Sequence, residues 1–317
     1  PFGTIIMYGA LGETVTEKSG NLNLGVPGIM YLGGFAGFAS AWAYENTAAN
    51  PSGAVSVVIA LTCAILASMA GGLIYAFLTI SLRANQNVTG LALTTFGMGV
   101  ANFFGVFILN GASYSAAPIA NKAFSAKIPV LSTLGGFGQV VFSYGFLVYA
   151  AIALAIALHW FLTRTRAGLN LRAVGENPAT ADAAGINVTL YKYLATCIGA
   201  GICGIGGLYY VLDYNQGIWA TTGQIEALGW LAVALVIFTT WKPLNAIWGA
   251  YLFGMLYWLY QFLPTLLGIT MASHITDLVQ MLPYVVTIVV LIVVSMRKKK
   301  ENQPPAHLGL AYFREER

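Results

Sequence analysis

The chain has 317 residues, 58% of them hydrophobic and only 8% charged, with a formal net charge of +4 and a mean hydropathy of +0.73. Soluble domains carry about 25% charge, so a soluble enzyme is excluded, and uncharged stretches of about 18 apolar residues or more read as membrane spans. The basic residues are spread over loops rather than gathered on one face, which argues against a nucleic-acid partner.

The chain opens at Pro1 inside an apolar segment, so a further helix is expected ahead of it; nothing resembles a cleavable signal peptide. Gly3–Leu11 is too short to span, and Glu13, Glu17 and Lys18 follow it, which places these charges near a span end. Val26–Tyr44 is a full, glycine-rich span, Ala54–Leu82 is long enough for a tilted helix, and Val88–Leu109 spans again. Asn110–Gly135 is a polar excursion, and Gly136–Leu162 spans and ends at Arg164 and Arg166. After a polar loop, Leu190–Leu212 spans and Asp213–Gln224 is a loop. Ile225–Thr240 and Leu244–Leu263 form a tight hairpin around Trp241-Lys242-Pro243. Thr265–Leu282 is a loop and Pro283–Met296 a last, short span. The pattern predicts an all-α polytopic transmembrane bundle of about 8–10 helices in a single domain over 1–317.

Small residues recur every fourth position at Gly33, Gly37 and Ala41, at Gly97, Ala101 and Gly105, at Ala195, Gly199, Cys203 and Gly207, and at Ala246, Ala250 and Gly254. Such stripes let helices approach closely where lipid supplies no hydrophobic drive. Cys63, Cys197 and Cys203 lie in apolar runs without metal-type spacing and read as core thiols.

The chain lacks a phosphate-binding G-x-x-x-x-G-K-[ST] run, H-E-x-x-H and G-x-S-x-G, so neither P-loop ATP hydrolysis nor a familiar hydrolase site is indicated. The chemistry that remains is passage of a solute. Polar residues at membrane depth are costly unless they face protein or water, which singles out a few positions for a substrate pathway. Asn21 and Asn23 sit in a glycine-flanked irregular stretch, where lining a cavity and capping a loop are equal alternatives. Asn87, Thr94, Asn102 and Phe103 lie on one span, and Asn87, Thr94 and Phe103 fall within a broad helical face. Glu226 opens a span, where it either favours the helix dipole or meets a ligand. A chain of buried acids along the spans, expected of an ion-coupled secondary transporter, is absent from this reading.

The main polar interruption is Arg172–Val188, RAVGENPATADAAGINV. Asn177 can cap a helix and Pro178 suits its first position. Four alanines favour continuation, and Gly185 is placed to end it in a left-handed conformation. The result is a helix of about seven residues, on the order of 10 Å long, which is marginal alone and calls for a partner surface.

This run resembles the coupling loop of ABC importer permeases in the branch that serves ribose, branched-chain amino acids and nucleosides. The likeness is carried by Gly175, Glu176, Asn177, Ala181, Ala184, Gly185, Ile186 and Val188. Leu11–Met30 (LGETVTEKSGNLNLGVPGIM) and Thr221–Pro243 (TTGQIEALGWLAVALVIFTTWKP) resemble the nucleoside subgroup served by basic-membrane-protein-type lipoproteins. The resemblance implies inverted repeats, a cytoplasmic coupling loop at 164–189 and a cytoplasmic basic tail at 297–317. It also implies a separate ATPase that binds ATP and Mg and holds the helix from Pro178, no cofactor in this chain, and no catalysis by it. A second permease chain, either a related one or another copy, and an external substrate-binding lipoprotein complete the expected complex in the cell membrane. With the coupling loop inside, every basic residue except Lys122 and Lys127 lies on the cytoplasmic side, as the positive-inside rule requires. Nucleosides are the expected solute, with a ribose-like sugar or a branched-chain amino acid as alternatives.

Overall fold

The computed structural model describes residues 1–109, 117–127, 143–219, 223–267 and 303–313, with a few positions between 281 and 296. Every regular element among them is helical: α1 (Phe2–Glu17), α2 (Val26–Thr47), α3 (Gly53–Ala76), α4 (Gln86–Leu109), α5 (Pro118–Phe124), α6 (Phe146–Arg164), α7 (Arg166–Glu176), α8 (Pro178–Ala183), α9 (Val188–Tyr209), α10 (Gln224–Phe238) and α11 (Pro243–Leu267). α3 and α9 each run into a π-helical turn, Phe77–Ser81 and Tyr210–Tyr214. Among the described residues, four helical stretches are long and apolar enough to cross a membrane: Gly53–Ser81, Gln86–Gly105, Phe146–Arg164 and Val188–Tyr214. The expected span at Pro283–Met296, most of the excursion at Asn110–Gly135 and the basic run Arg297–Lys300 lie outside the described residues.

The inner helices are α1, α2 and α9. α1 packs on α9, α10 and α11, and α2 packs on α3, α4, α9 and α10. The predicted small-residue stripes are the contact faces. A side chain on Gly33 would overlap Gly204 of α9, one on Gly97 would overlap the Gly28 carbonyl of α2, and one on Gly207 would overlap the Met30 carbonyl. Gly12 of α1 meets Gly199 and Cys203 of α9, and Gly254 of α11 meets Gly3 of α1. Glycine is required at these crossings because backbone touches backbone. The perimeter is apolar and exposed instead: Val58, Leu66 and Leu73 on α3, Val88 and Phe96 on α4, Ile156 and Trp160 on α6. That arrangement, with small residues inside and large apolar ones outside, suits a bundle solvated by lipid.

The first helix is longer than the apolar run Gly3–Leu11: α1 continues through Glu13 to Glu17, and all its residues are buried. The helix does not stop at the carboxylates because the protein supplies their partners. Glu13 Oε1 accepts from the Asn23 backbone N–H at 2.9 Å, and Glu17 accepts from the Trp241 indole N–H. Surrounded by other helices rather than lipid, α1 needs no continuous apolar surface.

At the far end from α8, the Glu45 carboxylate caps α5. Its oxygens accept from Ile119 N at 3.0 Å and Ala120 N at 2.6 Å, and from Ser56 Oγ at 3.0 Å. A negative group on the unpaired N–H groups of a helix start is favourable, and it secures this seven-residue helix. The predicted α10–α11 hairpin is present, with Thr240 and Trp241 both at φ +55 in its turn.

Candidate functional site

Residues 18–25 break the chain between α1 and α2, and their backbone groups are satisfied by side chains from two other helices, α3 and α4. Gln86 Oε1 accepts from Leu22 N at 2.7 Å, Tyr75 donates to the Leu22 carbonyl, and Thr94 Oγ1 donates to Leu24 O at 3.0 Å. Non-helical backbone is tolerated at depth only with such partners. Asn23 resolves to loop capping, its Oδ1 accepting from Gly25 N at 2.9 Å. Asn21 donates to Thr196 Oγ1 at 3.2 Å, and its own Oδ1 is buried without a partner among the described residues. Asn21, Asn23 and Thr94 therefore come together at the break.

The other pathway candidates are not with them. Asn87 and Phe103 are exposed, so Asn87, Thr94 and Phe103 do not form one shared wall. Thr94 lies on the face of α4 turned to Gly28 of α2, whereas Asn87 is exposed in the first turn of α4 and Phe103 is exposed half a turn round from Thr94. Asn102 and Glu226 sit instead near an aromatic cluster that sequence reasoning missed. Trp219 packs on Tyr31, Phe35 and Phe38 of α2, with ring centroids at 6.3, 5.6 and 6.0 Å. Phe104 of α4 stacks on Phe35 at 6.3 Å. The Trp219 indole nitrogen lies against Gly105, one turn beyond Asn102. Both Trp219 Nε1 and Asn102 Oδ1 are buried without a hydrogen-bond partner among the described residues. Glu226, in the first turn of α10, lies close to Tyr31. A loop tryptophan and a helix tyrosine carry no spacing signal, so only their convergence reveals the cluster. Unpaired polar atoms inside an aromatic shell suit a ligand with a flat face and hydroxyl groups.

At the other end, α7, α8 and the start of α9 form the segment singled out in the sequence. Asn177 caps α8, its side chain accepting from Thr180 N at 3.0 Å, and Pro178 takes the first position. Gly185 ends it at φ +84. Gly185 N bonds Asp182 O at 2.9 Å and Ile186 N bonds Ala181 O at 3.0 Å, the pair of bonds that closes a helix through a left-handed glycine. Ala181, one of the residues that carry the likeness to coupling loops, is not on the exposed face of α8. Ala181 faces inward, packed with Val174, Val188 and Tyr312, because the amphipathic turn needs an apolar anchor on its own chain. Glu176, Asn177, Thr180, Ala183, Ala184 and Gly185 are the exposed residues, while Gly175 is buried against Lys18 and Gly20.

A second element missed in the sequence is the tail segment 303–313. His307 N bonds Gly175 O at 3.0 Å, Gly309 N bonds Gly20 O at 3.1 Å, and the Tyr312 hydroxyl bonds Asp182 Oδ2 at 2.9 Å. It stitches the break after α1 to α7 and α8. Basic residues collect here: burial, and next the Arg172 charge, lower the Lys18 ammonium to about 8. Burial, and next the Lys192 charge, lower His307.

A helical bundle with a lipid-suited perimeter, a polar break between its inner helices and, beside it, a capped helix at its basic end defines a multi-pass membrane transport subunit. The chain belongs to the family described as branched-chain amino acid transport system / permease component, whose model matches residues 2–293. It is similar to a putative glucose ABC transporter permease of Haloferax volcanii, 35% identical over 258 residues that cover 80% of this chain and 72% of the relative. A nucleoside ABC transporter permease of Lactococcus lactis is 30% identical over 292 residues, covering 92% and 88%. A guanosine ABC transporter permease of Bacillus subtilis is 33% identical over 253 residues, covering 77% and 75%. No solved structure matches. The chain is therefore the membrane permease of an ABC importer, a transport subunit rather than an enzyme, and this class works with an ATPase and a binding protein.

Proposed function

We propose that this permease carries nucleosides, delivered by an external binding lipoprotein, across the cell membrane. The observation that carries this reading is the Trp219 cluster, where stacked aromatic rings adjoin the unpartnered Asn102 Oδ1 and the Glu226 carboxylate. A nucleoside offers a flat base for the rings and ribose hydroxyls for the amide and carboxylate. The likeness to permeases named for nucleosides and guanosine supports it. Asn21, Asn23 and Thr94 act here by shaping the central break.

In this reading the end carrying α7 and α8 is cytoplasmic, and the partner ATPase, which binds ATP and Mg, seats the exposed face of α8. Asn177 and Pro178 set where that helix begins. Gly185 and Ile186 return the chain to α9, and Glu176, Ala183 and Ala184 face the partner. Closure of the ATPase dimer pushes α8, and the rigid inner helices tilt about the break. A second permease chain, related or identical, forms the other half of the pathway.

Glucose is the second reading, favoured by the similarity to the Haloferax protein. Uptake of labelled guanosine, uridine and glucose in cells lacking this chain and redundant systems separates the two. Loss of nucleoside uptake with glucose uptake kept is the expected result; the reverse would assign a sugar. Asn102→Leu should impair uptake without lowering the amount of folded complex, and Asn87→Leu should not.

A further inference from the structure

An open pocket of about 670 Å³ lies between the end of α3, the start of α9 and the tail segment. Its wall carries Ser81 and Arg83 on one side, Lys192 and the first turn of α9 on another, and Tyr312 on a third. Lys192 is 3% exposed, and among the described residues no hydrogen bond or ion pair reaches its ammonium. A buried charge without a counter-charge is strongly unfavourable, so the open side of the pocket is where a counter-ion belongs. The carboxylate in the wall, Asp182, accepts from Tyr312.

Other features of the wall favour an anion. Val188 and Thr189, at the N-terminus of α9, face the pocket, and the unpaired N–H groups and dipole of a long helix attract negative charge there. Arg83, at φ +55, is held over the Phe313 ring at 4.5 Å, which fixes a second cation at the rim. The surroundings are those of a membrane boundary. Leu82, Val88 and Leu190 are exposed at this end. An apolar groove of about 180 Å³ between α3 and α4, lined by Ile74, Leu78, Leu93 and Phe96, begins one residue from Thr79 of the pocket wall.

We propose that this pocket binds a phosphate-bearing anion, supplied by an anionic phospholipid of the adjacent leaflet. The headgroup lies on Lys192, Arg83 and the first turn of α9, with an acyl chain along the α3–α4 groove. The site is independent of which solute is carried.

The test uses the full chain with its partner subunits in nanodiscs of phosphatidylcholine with or without phosphatidylglycerol. Retained lipid is read by native mass spectrometry, and inorganic phosphate is titrated separately. Wild type should retain phosphatidylglycerol in preference to phosphatidylcholine. Lys192→Met should weaken that retention by about tenfold or more, while Lys192→Arg should preserve it. Arg83→Gln, at an exposed position, should weaken it without affecting folding. Phosphate bound by wild type and lost in Lys192→Met, with no lipid preference, would overturn the lipid and assign a soluble phosphate compound. Equal retention of both lipids, with no phosphate binding that depends on Lys192, would overturn the site altogether.

Discussion

The backbone N–H of His307 donates to the Gly175 carbonyl at 3.0 Å, tying the tail to the last turn of α7 immediately before α8. The tail also reaches Gly20 and Asp182, so it braces both the break after α1 and α8, the helix we propose the ATPase seats. Tyr312→Phe should remove about 1 kcal/mol or more of that bracing. Hydrogen exchange should then quicken at residues 181–187 and stay unchanged within α9. Unaltered exchange in the loop would show that the tail does not hold it.

Opposite faces of α8 should respond differently to bulk. Ala181 is packed against Val174 and Val188, so Ala181→Trp should disturb this chain's own fold and lower its thermal midpoint. Thr180 is exposed, so Thr180→Trp should leave the midpoint alone and reduce ATPase co-purification. Gly185→Val, at φ +84, should cost about 1–2 kcal/mol locally and also reduce co-purification. Full ATPase recovery with Thr180→Trp would remove α8 as the contact.

Trp241 donates its indole N–H to Glu17 inside the bundle, where Glu17 is 2% exposed. Trp241→Phe removes the donor and leaves a buried carboxylate oxygen unsatisfied, at a cost of about 1–3 kcal/mol. Glu17→Leu combined with Trp241→Phe should recover part of that loss, since both polar groups are then gone. Thermal unfolding in detergent reads both.

Lys18 gives a pH signature. Its ammonium titrates at about 8 in the fold against 10.5 as the reference value, with burial as the main cause. Between those values the unfolded chain holds the extra proton, so this group's contribution to stability rises with pH across that window. Below about 8 both states are charged and the full burial penalty remains. The wild-type thermal midpoint should therefore gain between pH 8 and 10 relative to Lys18→Met; parallel curves would contradict the assignment.

Much of the architecture was legible in the sequence because it rests on local chemistry. Hydropathy located the long spans, four-residue stripes of small residues located the helix contacts, and Asn177, Pro178 and Gly185 bounded α8 through capping and a left-handed turn. Each of those signals lies within one helix or turn. Tertiary structure decided what depends on neighbours. The sequence alone set Glu13 and Glu17 near a span end, whereas Asn23 and Trp241 let them sit inside the bundle. Asn23 became a loop cap, and Thr94 of α4 and Thr196 of α9 reached the same break. Ala181 turned inward because Val174, Val188 and Tyr312 come together there, and Tyr312 lies 131 residues further along the chain. Trp219, Asn102 and Glu226 approached one another only through the packing of α2, α4 and α10. Composition can say that a polar group must find a partner in a lipid-solvated bundle, since leaving it unpaired is costly. Which partner it finds is settled by contacts far apart in sequence.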